Sequence, residues 1–499
     1  MISTYSESSV SPRRPAILAV CLLLFLCGTS LLHAQAALGT ATAAGTVRDE
    51  SGLPVPQAAV VLTDTARGSS RQTSTNETGS FSFPNVPPGQ YVLVAKKDGF
   101  ETRRVTGIQL QVGQVASLDV TMKIGALSTV VSVSGEQSTI VETESNVIGT
   151  VVNSQQVQEL PLNGRNFLQL ALTAAGSNAV TGGSDVYSAQ VGHPGRAVVI
   201  NGNPPTTTGY TINGIATRGQ RLGESALNLS VAAIDQFKVQ QGFFLPDQGP
   251  DPGLVNVTTQ GGTNAFHGQA FEFLRNNAMD SRSFFAVAPE SLKRNQFGGA
   301  IGGPIRKDRV WFYGFYEGLR QISAFSANAY TPTQAMFGGN FSALANTIYD
   351  PATYSAATNT RSPFPGNVIP QNRINPVSTG LLKYYLPGAS ISMLPTNLFA
   401  NPRNTLNDDQ GGLRIDDTIS SSQSLFAQFV QETSSAINSG TFPLSGAAYP
   451  NTSTFGMVQH TWILSPAMVN TARIGVTRGE ALYTNEGINA GHILGTLGI

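Results

Sequence analysis

Residues that could perform catalysis are spread along this chain rather than grouped. The five histidines do not cluster, and Ser, His and Asp residues form no recognisable nucleophile–base pattern. A His-x-x-Glu zinc pair, as a peptidase would need, is not present in the sequence. The two cysteines, Cys21 and Cys27, both lie in an N-terminal apolar segment. The sequence therefore predicts no catalytic residue, no metal site and no cofactor.

The N-terminus has the order of a secretory signal. Arg13 and Arg14 precede the apolar run Ala16–Leu32, and a small-x-small cleavage sequence comes next at Ala34–Ala36. We expect a signal peptide over residues 1–36, with an uncleaved membrane anchor as the alternative. Its removal leaves no cysteine, so neither a disulfide nor a thiol nucleophile is expected. Because no later apolar run could form a spanning helix, membrane insertion would require β-strands.

Composition narrows the class of protein further. Charged residues make up only 12% of the 499 residues, and glycine is abundant at 52. A typical soluble domain has about 25% charged residues, so this balance favours a β-rich surface or envelope protein of several domains. The 30 basic and 30 acidic residues form no basic stripe, and no nucleic-acid partner is expected.

A small β-sandwich is predicted for residues 37–124. Short apolar alternations, such as Ala58–Leu62 and Phe81–Phe83, are separated by turns at Ser51-Gly52 and Pro88-Gly89. Turns every eight to twelve residues or so are typical of a two-sheet sandwich with one core.

The most specific local pattern lies between residues 160 and 167. It consists of Leu160, Pro161, Leu162, Asn163, Gly164, Arg165, Asn166 and Phe167. Pro161 fixes φ, and an Asn-Gly pair tolerates positive φ. We expect Leu160 and Leu162 to anchor one buried corner. An ordinary turn before a helix is the alternative.

A short helix is expected directly after that turn. Asn166 can cap a helix over Phe167–Ala175 that ends at Gly176. Arg165 would then lie at the end of the turn, directly before this helix.

A compact α+β unit is predicted for residues 125–262. A second short helix is expected near Gln155–Glu159, and a polar loop at Thr181–Gly195. Its short strands are expected at Ala197–Ile200, Tyr210–Ile212, Ile234–Val239 and Leu254–Thr258.

Longer strands are predicted over residues 263–499. In one of them Ala472, Ile474 and Val476 alternate with polar or small residues, which suits an outer-membrane barrel and equally a soluble antiparallel sheet. A long connection rich in Asn, Pro, Thr and Ser covers residues 323–407. About seven strands are expected, starting near Ala265, Asn295, Arg309, Gln410, Ser424, Thr454 and Met468.

Two family resemblances organise these units. The first unit resembles the carboxypeptidase regulatory-like domain, a transthyretin-like or Ig-like sandwich without catalysis. The residues that carry this are Gly45, Val47, Gly52, Pro54, Val55, Ala58, Val60, Gly79, Phe81, Phe83, Pro88, Gly89 and Tyr91.

The whole chain resembles a TonB-dependent outer-membrane receptor of the Oar-like branch. Besides residues 160–167, the resemblance rests on Gly262-Thr263-Asn264, Phe266-His267-Gly268, Arg275-Asn276, Asn295–Gly299, Gly302–Ile305, Tyr316–Gly318, Tyr349–Pro351 and Arg361–Pro370. It implies that residues 125–262 are a plug and that residues 263–499 begin an antiparallel barrel whose long loop 323–407 is extracellular. Asn213-Gly214 departs from the more usual Asp-Gly.

The resemblance also implies a function and partners. The receptor would take up a large ligand, such as a glycan, peptide or chelate, by plug gating driven from the inner membrane of a Gram-negative envelope. A TonB-type energising protein in the periplasm would bind a box in this chain, whose extended segment could add a strand to the partner's sheet. We place this box at Leu127, Ser128, Thr129, Val130, Val131 and Ser132. A plain linker strand is the alternative for that segment. Arg165 would bond either to barrel carboxylates or within the plug.

Other functions remain open from the sequence. A surface adhesin or a receptor that only signals is the chief alternative, and an accessory module of an exported peptidase is a third. Seven strands cannot close a barrel around a plug, because each open edge would leave about ten backbone groups unpaired in lipid. We therefore expect the chain to be the N-terminal part of a longer protein, with an incomplete barrel.

Overall fold

The computed structural model describes residues 39–125, 130–134, 148–179, 197–219, 223–242, 251–281, 291–324, 327–388, 396–465 and 468–485, and residues 495 and 497. These are mostly β-strand, as predicted. The expected signal peptide and the expected polar loop Thr181–Gly195 lie outside the described residues.

The first unit is a sandwich of two sheets. Its strands are β1 (Ala41–Asp49), β2 (Ala59–Asp64), β3 (Ser70–Ser74), β4 (Ser80–Val86), β5 (Gly89–Lys96), β6 (Thr102–Leu110), β7 (Val115–Ser117), β8 (Val120–Met122) and β9 (Val130–Ser134). One sheet has the order β4-β1-β7 with β8 also on β1, and the other β3-β2-β5-β6-β9. Alternate residues point between the sheets, so Val60, Leu62, Phe81 and Phe83 are buried. The predicted small sandwich is confirmed.

The second unit, residues 148–259, is called the plug below. It contains β10 (Ile148–Val152), β11 (Ser177–Ala179), β12 (Val198–Ile200), β13 (Thr208–Ile212), β14 (Ile215–Ala216), β15 (Ile234–Gln241), β16 (Gly253–Thr259), α1 (Ser154–Glu159), α2 (Leu168–Ala171) and 3-10 turns at Asn163–Arg165, Pro205–Thr207 and Val231–Ala233. The main sheet has the order β10-β15-β16-β13-β14. Phe167 and Phe237 meet edge to face in its core, with ring centroids 6.0 Å apart.

The third unit is one antiparallel sheet that runs in chain order. Its elements are β17 (His267–Asn276), a 3-10 turn (Asn277–Met279), β18 (Leu292–Arg306), β19 (Val310–Ala324), β20 (Ala327–Ala329), β21 (Leu398–Ala400), β22 (Arg403–Ser420), β23 (Gln423–Asn438), β24 (Ala447–Ser465), β25 (Met468–Ala481) and β26 (Thr484–Asn485). The sheet order is β17-β18-β19-β22-β23-β24-β25, with β26 on β24. It forms part of a barrel wall, and the seven long strands match the predicted ones.

The two faces of this barrel sheet differ as the alternation predicted. Leu413, Ile474 and Val476 are exposed on one face, whereas Arg414 and Gln428 are buried on the other. The buried face packs on the plug, because Tyr313, Phe315, Val430, Phe455 and Met457 belong to the same apolar cluster as the plug core. No helix within the described part of the chain has the length and apolarity needed to cross a membrane.

The long connection between β19 and β22 has structure of its own. β20 pairs with β21 at its base, and Arg373 donates two hydrogen bonds, of 2.9 and 2.7 Å, to the carboxylate of Asp350. Its helical elements are Gln334–Phe337 (α3), Pro351–Thr353, Pro365–Asn367, Gln371–Arg373 and Pro376–Leu382 (α4).

Candidate functional site

The corner at residues 160–167 is built by a left-handed turn. Gly164 has a φ of 68° and Arg165 a φ of 51°, so the chain reverses sharply after Leu162. The expected buried corner is wrong in its first half, since Leu160 is 40% exposed. The physical reason is that Leu160 leaves α1 in an extended conformation, away from the core.

The second half of the corner is buried. Asn166 and Phe167 lie in the plug core, and Leu162 packs against it. The predicted helix Phe167–Ala175 is too long, because α2 ends at Ala171. Asn166 acts as the predicted cap, because its backbone is extended and its side chain accepts a hydrogen bond from the Leu168 amide at 3.1 Å.

Arg165 reaches from this corner to the barrel sheet. Its Nε lies 3.5 Å from Oε2 of Glu317, and both side chains are largely buried, at 12% and 3% exposure. The guanidinium also covers the ring of Phe271, 4.0 Å from the centroid. Burial lowers the pKa of Arg165, and the nearby carboxylate opposes that shift. The structure thus places Arg165 beside a barrel carboxylate, the first of the two arrangements considered from the sequence.

Glu317 is the centre of a group of contacts that we call the plug lock. Ser230 of the plug donates its hydroxyl proton to Glu317 Oε2. Gln296 of β18 donates its amide to Glu317 Oε1 at 2.5 Å and to the Gly164 carbonyl at 3.2 Å. Arg294 donates to Asn163 Oδ1 at 2.8 Å. The corner is therefore held to two adjacent barrel strands by charge-assisted and amide hydrogen bonds.

A second set of polar contacts joins the C-terminal ends of plug strands β13 and β16 to the barrel sheet. Arg414 donates two hydrogen bonds to the carboxylate of Asp416 and a third, of 2.8 Å, to the Thr259 carbonyl. The amide of Asn213 donates to Thr259 Oγ1 at 2.8 Å and to Gln428 Oε1 at 2.6 Å. An ionised Asp at residue 213 would have no proton to donate, which gives the Asn at this departure from the family pattern a physical role.

The sandwich is joined to both of the other units. Arg67 donates from Nε to the Gly262 carbonyl at 3.0 Å and lies 3.8 Å from Asp416. Asn264 donates to the Arg67 carbonyl at 2.7 Å, and the Val112 amide donates to Gln236 of β15 at 3.0 Å. The Gly262–Asn264 motif therefore lies where sandwich, plug and barrel meet.

The expected energising box is only partly described. Leu127, Ser128 and Thr129 lie outside the described residues. Val130, Val131 and Ser132 belong to β9, which runs parallel to β6 and is the outermost strand of its sheet. The structure does not bring these residues together with the corner at 160–167, and their binding role stays a prediction.

Sequence reasoning missed the partners of Arg165. The sequence singled out Glu317 and Gln296 only as members of family motifs, and it did not single out Ser230. A usable signal was present, since Glu317 continues the alternation of Trp311, Tyr313 and Phe315 on a buried face, where a carboxylate needs a partner. Within the described ranges, no three His, Cys, Asp or Glu side chains are grouped as metal ligands would be.

Two protein families match parts of the chain. Residues 42–123 match the carboxypeptidase regulatory-like domain, and residues 258–499 match the outer membrane beta barrel domain. The second match begins within the last strand of the plug sheet, so the barrel family covers the whole antiparallel sheet.

Among curated proteins, the chain is similar to the TonB-dependent transporter Oar of Myxococcus xanthus, with 26% identity over 346 residues. That alignment covers 66% of this chain and 30% of the relative, so the chain spans less than a third of the relative's length. Among solved structures, the outer membrane transporter YddB of Escherichia coli is similar at 13% identity and a TM-score of 0.39, over 66% of this chain and 38% of that one. The ferric enterobactin receptor of Pseudomonas aeruginosa is similar at 11% identity and a TM-score of 0.33, over 67% and 45% of the two chains.

Proposed function

We propose that this chain, an Oar-like TonB-dependent receptor of the outer membrane, takes up a large extracellular ligand by moving its plug. The energy would come from the inner membrane through a TonB-type protein in the periplasm. The ligand would be a glycan, a peptide or a chelate, and outer-membrane lipid would cover the apolar face of the barrel sheet. The proposed domain limits are 37–124, 125–262 and 263–499.

The plug lock is the observation that carries this proposal. A gate has to be held in one position and still be released without unfolding the barrel. Hydrogen bonds suit that purpose, because each contributes only about 0.5–1.5 kcal/mol net and can be replaced by water. Arg165, Ser230 and Gln296 all converge on Glu317 or on the corner itself, so a small shift of the corner would break several contacts at once.

The proposed energising segment is Leu127–Ser132. Its described part, Val130–Ser132, is the outermost strand of the sandwich sheet, so one edge of β9 is free of pairing with any described strand. An unpaired strand edge is what strand addition by a partner requires. A pull on this segment would act on the chain just before the plug begins.

Plug movement can be tested without knowing the ligand. Ser230 is 1% exposed and Cys is nearly isosteric with Ser, so Ser230→Cys places a thiol at a buried position of the plug, and residues 37–499 contain no other cysteine. In cells that produce the receptor, a membrane-impermeant fluorescent maleimide should label this thiol only while the plug moves. A protonophore should stop the labelling, as should deletion of the energising protein.

The matched control is Asn359→Cys in the exposed long loop, which should be labelled whether or not the gradient is present. If Ser230→Cys stays unlabelled in energised cells while the control reacts, the plug does not move. That result would favour the non-transporting receptor or adhesin.

A further inference from the structure

The sandwich is joined to the rest of the chain differently from the plug. The plug and the barrel sheet share one apolar cluster, to which Phe237 of the plug and Phe455 of the barrel sheet both belong. The sandwich has an apolar cluster of its own, and among the described residues neither cluster contains a member from the other side. Two units without a shared apolar core are expected to move relative to one another.

Polar contacts hold the sandwich to the barrel sheet. Arg67, in the turn between β2 and β3, donates to the Gly262 carbonyl at 3.0 Å and lies 3.8 Å from Asp416. Asn85 donates its side-chain amide to Thr471 Oγ1 of β25 at 2.7 Å. Each of these bonds can be exchanged for bonds to water when the two surfaces separate.

The turn between β6 and β7 carries the contact with the plug. The Val112 amide donates to Gln236 Oε1 at 3.0 Å, and Lys238 Nζ donates to the Gly113 carbonyl at 3.3 Å. Val112 is 0% exposed, yet it belongs to neither apolar cluster. Its side chain is therefore enclosed where the two units meet rather than inside either core.

Part of this interface is hollow. A cavity of about 380 Å³ lies between the sandwich, the plug and the barrel sheet. Most of its lining residues are polar, and they include Asp64 and Ser70 of the sandwich and Ser422 and Thr461 of the barrel sheet. A polar space of this size has room for water, so separation of the units exposes little additional apolar surface here.

The sandwich lies at the end of the barrel sheet where the connections are short. Ser421 and Ser422, which link β22 to β23, line the cavity, and Thr471 lies near the start of β25. The long connection between β19 and β22 leaves the opposite end of the sheet. In outer-membrane barrels the short turns face the periplasm and the long loops face outwards. A ligand that had passed the plug would therefore meet the sandwich next.

We propose that the sandwich is a detachable cover over the periplasmic end of the plug, and that it leaves as a folded unit while the plug stays in the barrel. Its own apolar cluster keeps it folded, and the polar contacts at Arg67, Asn85 and Val112 hold it in place. Its role at the exit rests on the proposed uptake, whereas its detachment requires no movement of the plug.

Three matched thiols distinguish detachment from unfolding. Val112→Cys probes the interface, Val60→Cys the sandwich core and Val257→Cys the plug core, and each of these valines is at most 2% exposed. The full chain, with Cys21→Ser and Cys27→Ser, then has one thiol in each case. In detergent, a fluorescent maleimide should label Val112→Cys at least about tenfold faster than either core thiol. Labelling of Val112→Cys no faster than that of a core thiol would overturn the proposal.

Loss of Arg67 should speed the detachment. Arg67→Met removes a hydrogen bond from a charged donor, while Asp416 keeps Arg414 as its partner at 2.7 Å. The labelling rate of Val112→Cys should therefore rise about tenfold to a hundredfold. Arg48→Met is the matched control, because this exposed arginine donates only to the Gly52 carbonyl of the sandwich itself, and it should leave the rate unchanged.

A variant on the barrel side excludes an effect on the folding of the sandwich. Thr471→Val removes the acceptor of the Asn85 amide and should speed the labelling of Val112→Cys about threefold to tenfold, with Val60→Cys unchanged. If neither Arg67→Met nor Thr471→Val changes the rate at Val112→Cys, the turn opens by itself and the sandwich is not a detachable cover. These rates need no proton gradient, so they are independent of whether Ser230→Cys reports movement of the plug.

Discussion

Replacing Glu317 with Gln should loosen the plug by about 2–3 kcal/mol. Removal of one partner from a buried ion pair costs about 3–5 kcal/mol, because the other charge stays buried and alone. Arg165 is only 12% exposed, so little water would reach it. Two features reduce the cost: the cation stays over the Phe271 ring at 4.0 Å, and the new amide keeps an oxygen for the Ser230 hydroxyl.

Urea-dependent labelling of the plug core measures this effect. Ala174 is 3% exposed in that core, so Ala174→Cys reacts with a maleimide only when the plug opens. With a urea m-value of about 1–3 kcal/mol/M, Glu317→Gln should lower the labelling midpoint by about 1–3 M. Asp280→Asn, which breaks the exposed Arg275–Asp280 pair, is the control and should change the free energy by less than about 1 kcal/mol.

A double-mutant cycle tests the cause. Arg165→Met together with Glu317→Gln should cost less than the two single changes added, since no buried charge is then left alone. Strict additivity, or a Glu317→Gln shift no larger than that of the Asp280→Asn control, would refute the buried-pair reasoning.

Three further outcomes are expected from the same contacts. Gly164→Ala should cost about 1 kcal/mol in the urea assay, all of it from the positive φ, because the nearest atom to an added Cβ is Arg294 Nη1 at 3.6 Å. Asp235→Asn should stabilise the chain at neutral pH, because burial raises the pKa of the Asp235 carboxyl in the folded chain and such a group reduces stability as pH rises from its ordinary pKa to the raised one. Thermal unfolding should therefore show that the gain shrinks as pH falls through that window. Val131→Pro removes a backbone amide from β9 and should abolish gradient-dependent labelling of Ser230→Cys, whereas Val131→Ala should preserve it.

The sequence was sufficient for the sandwich and for the long strands. Alternation with a period of two is a local property, so the buried set Val60, Leu62, Phe81 and Phe83 could be read directly. The same holds for the exposed Ile474 and Val476 of β25. Both patterns depend only on neighbours along one strand.

The corner at 160–167 shows where sequence reasoning stopped. Its turn and its arginine were recognisable, but the exposure of Leu160 depends on the direction in which the chain leaves α1. The partner of Arg165 is more than a hundred residues away on another unit, and only the register of β18 and β19 brings Gln296 and Glu317 together beneath it. The cavity of about 380 Å³ among the sandwich, the plug and the barrel sheet is harder still to predict, because each of these three units supplies part of its lining.

The plug is held by two kinds of contact with different consequences. Apolar contacts with Phe315 and Val430 join the plug core to the barrel sheet, and their free energy falls gradually as surfaces separate. The lock around Glu317 depends on distance and direction, so its bonds are made in one position of the corner and lost within a small displacement. The apolar contacts therefore favour association over a range of plug positions, whereas the lock favours the one position of the corner that this structure shows.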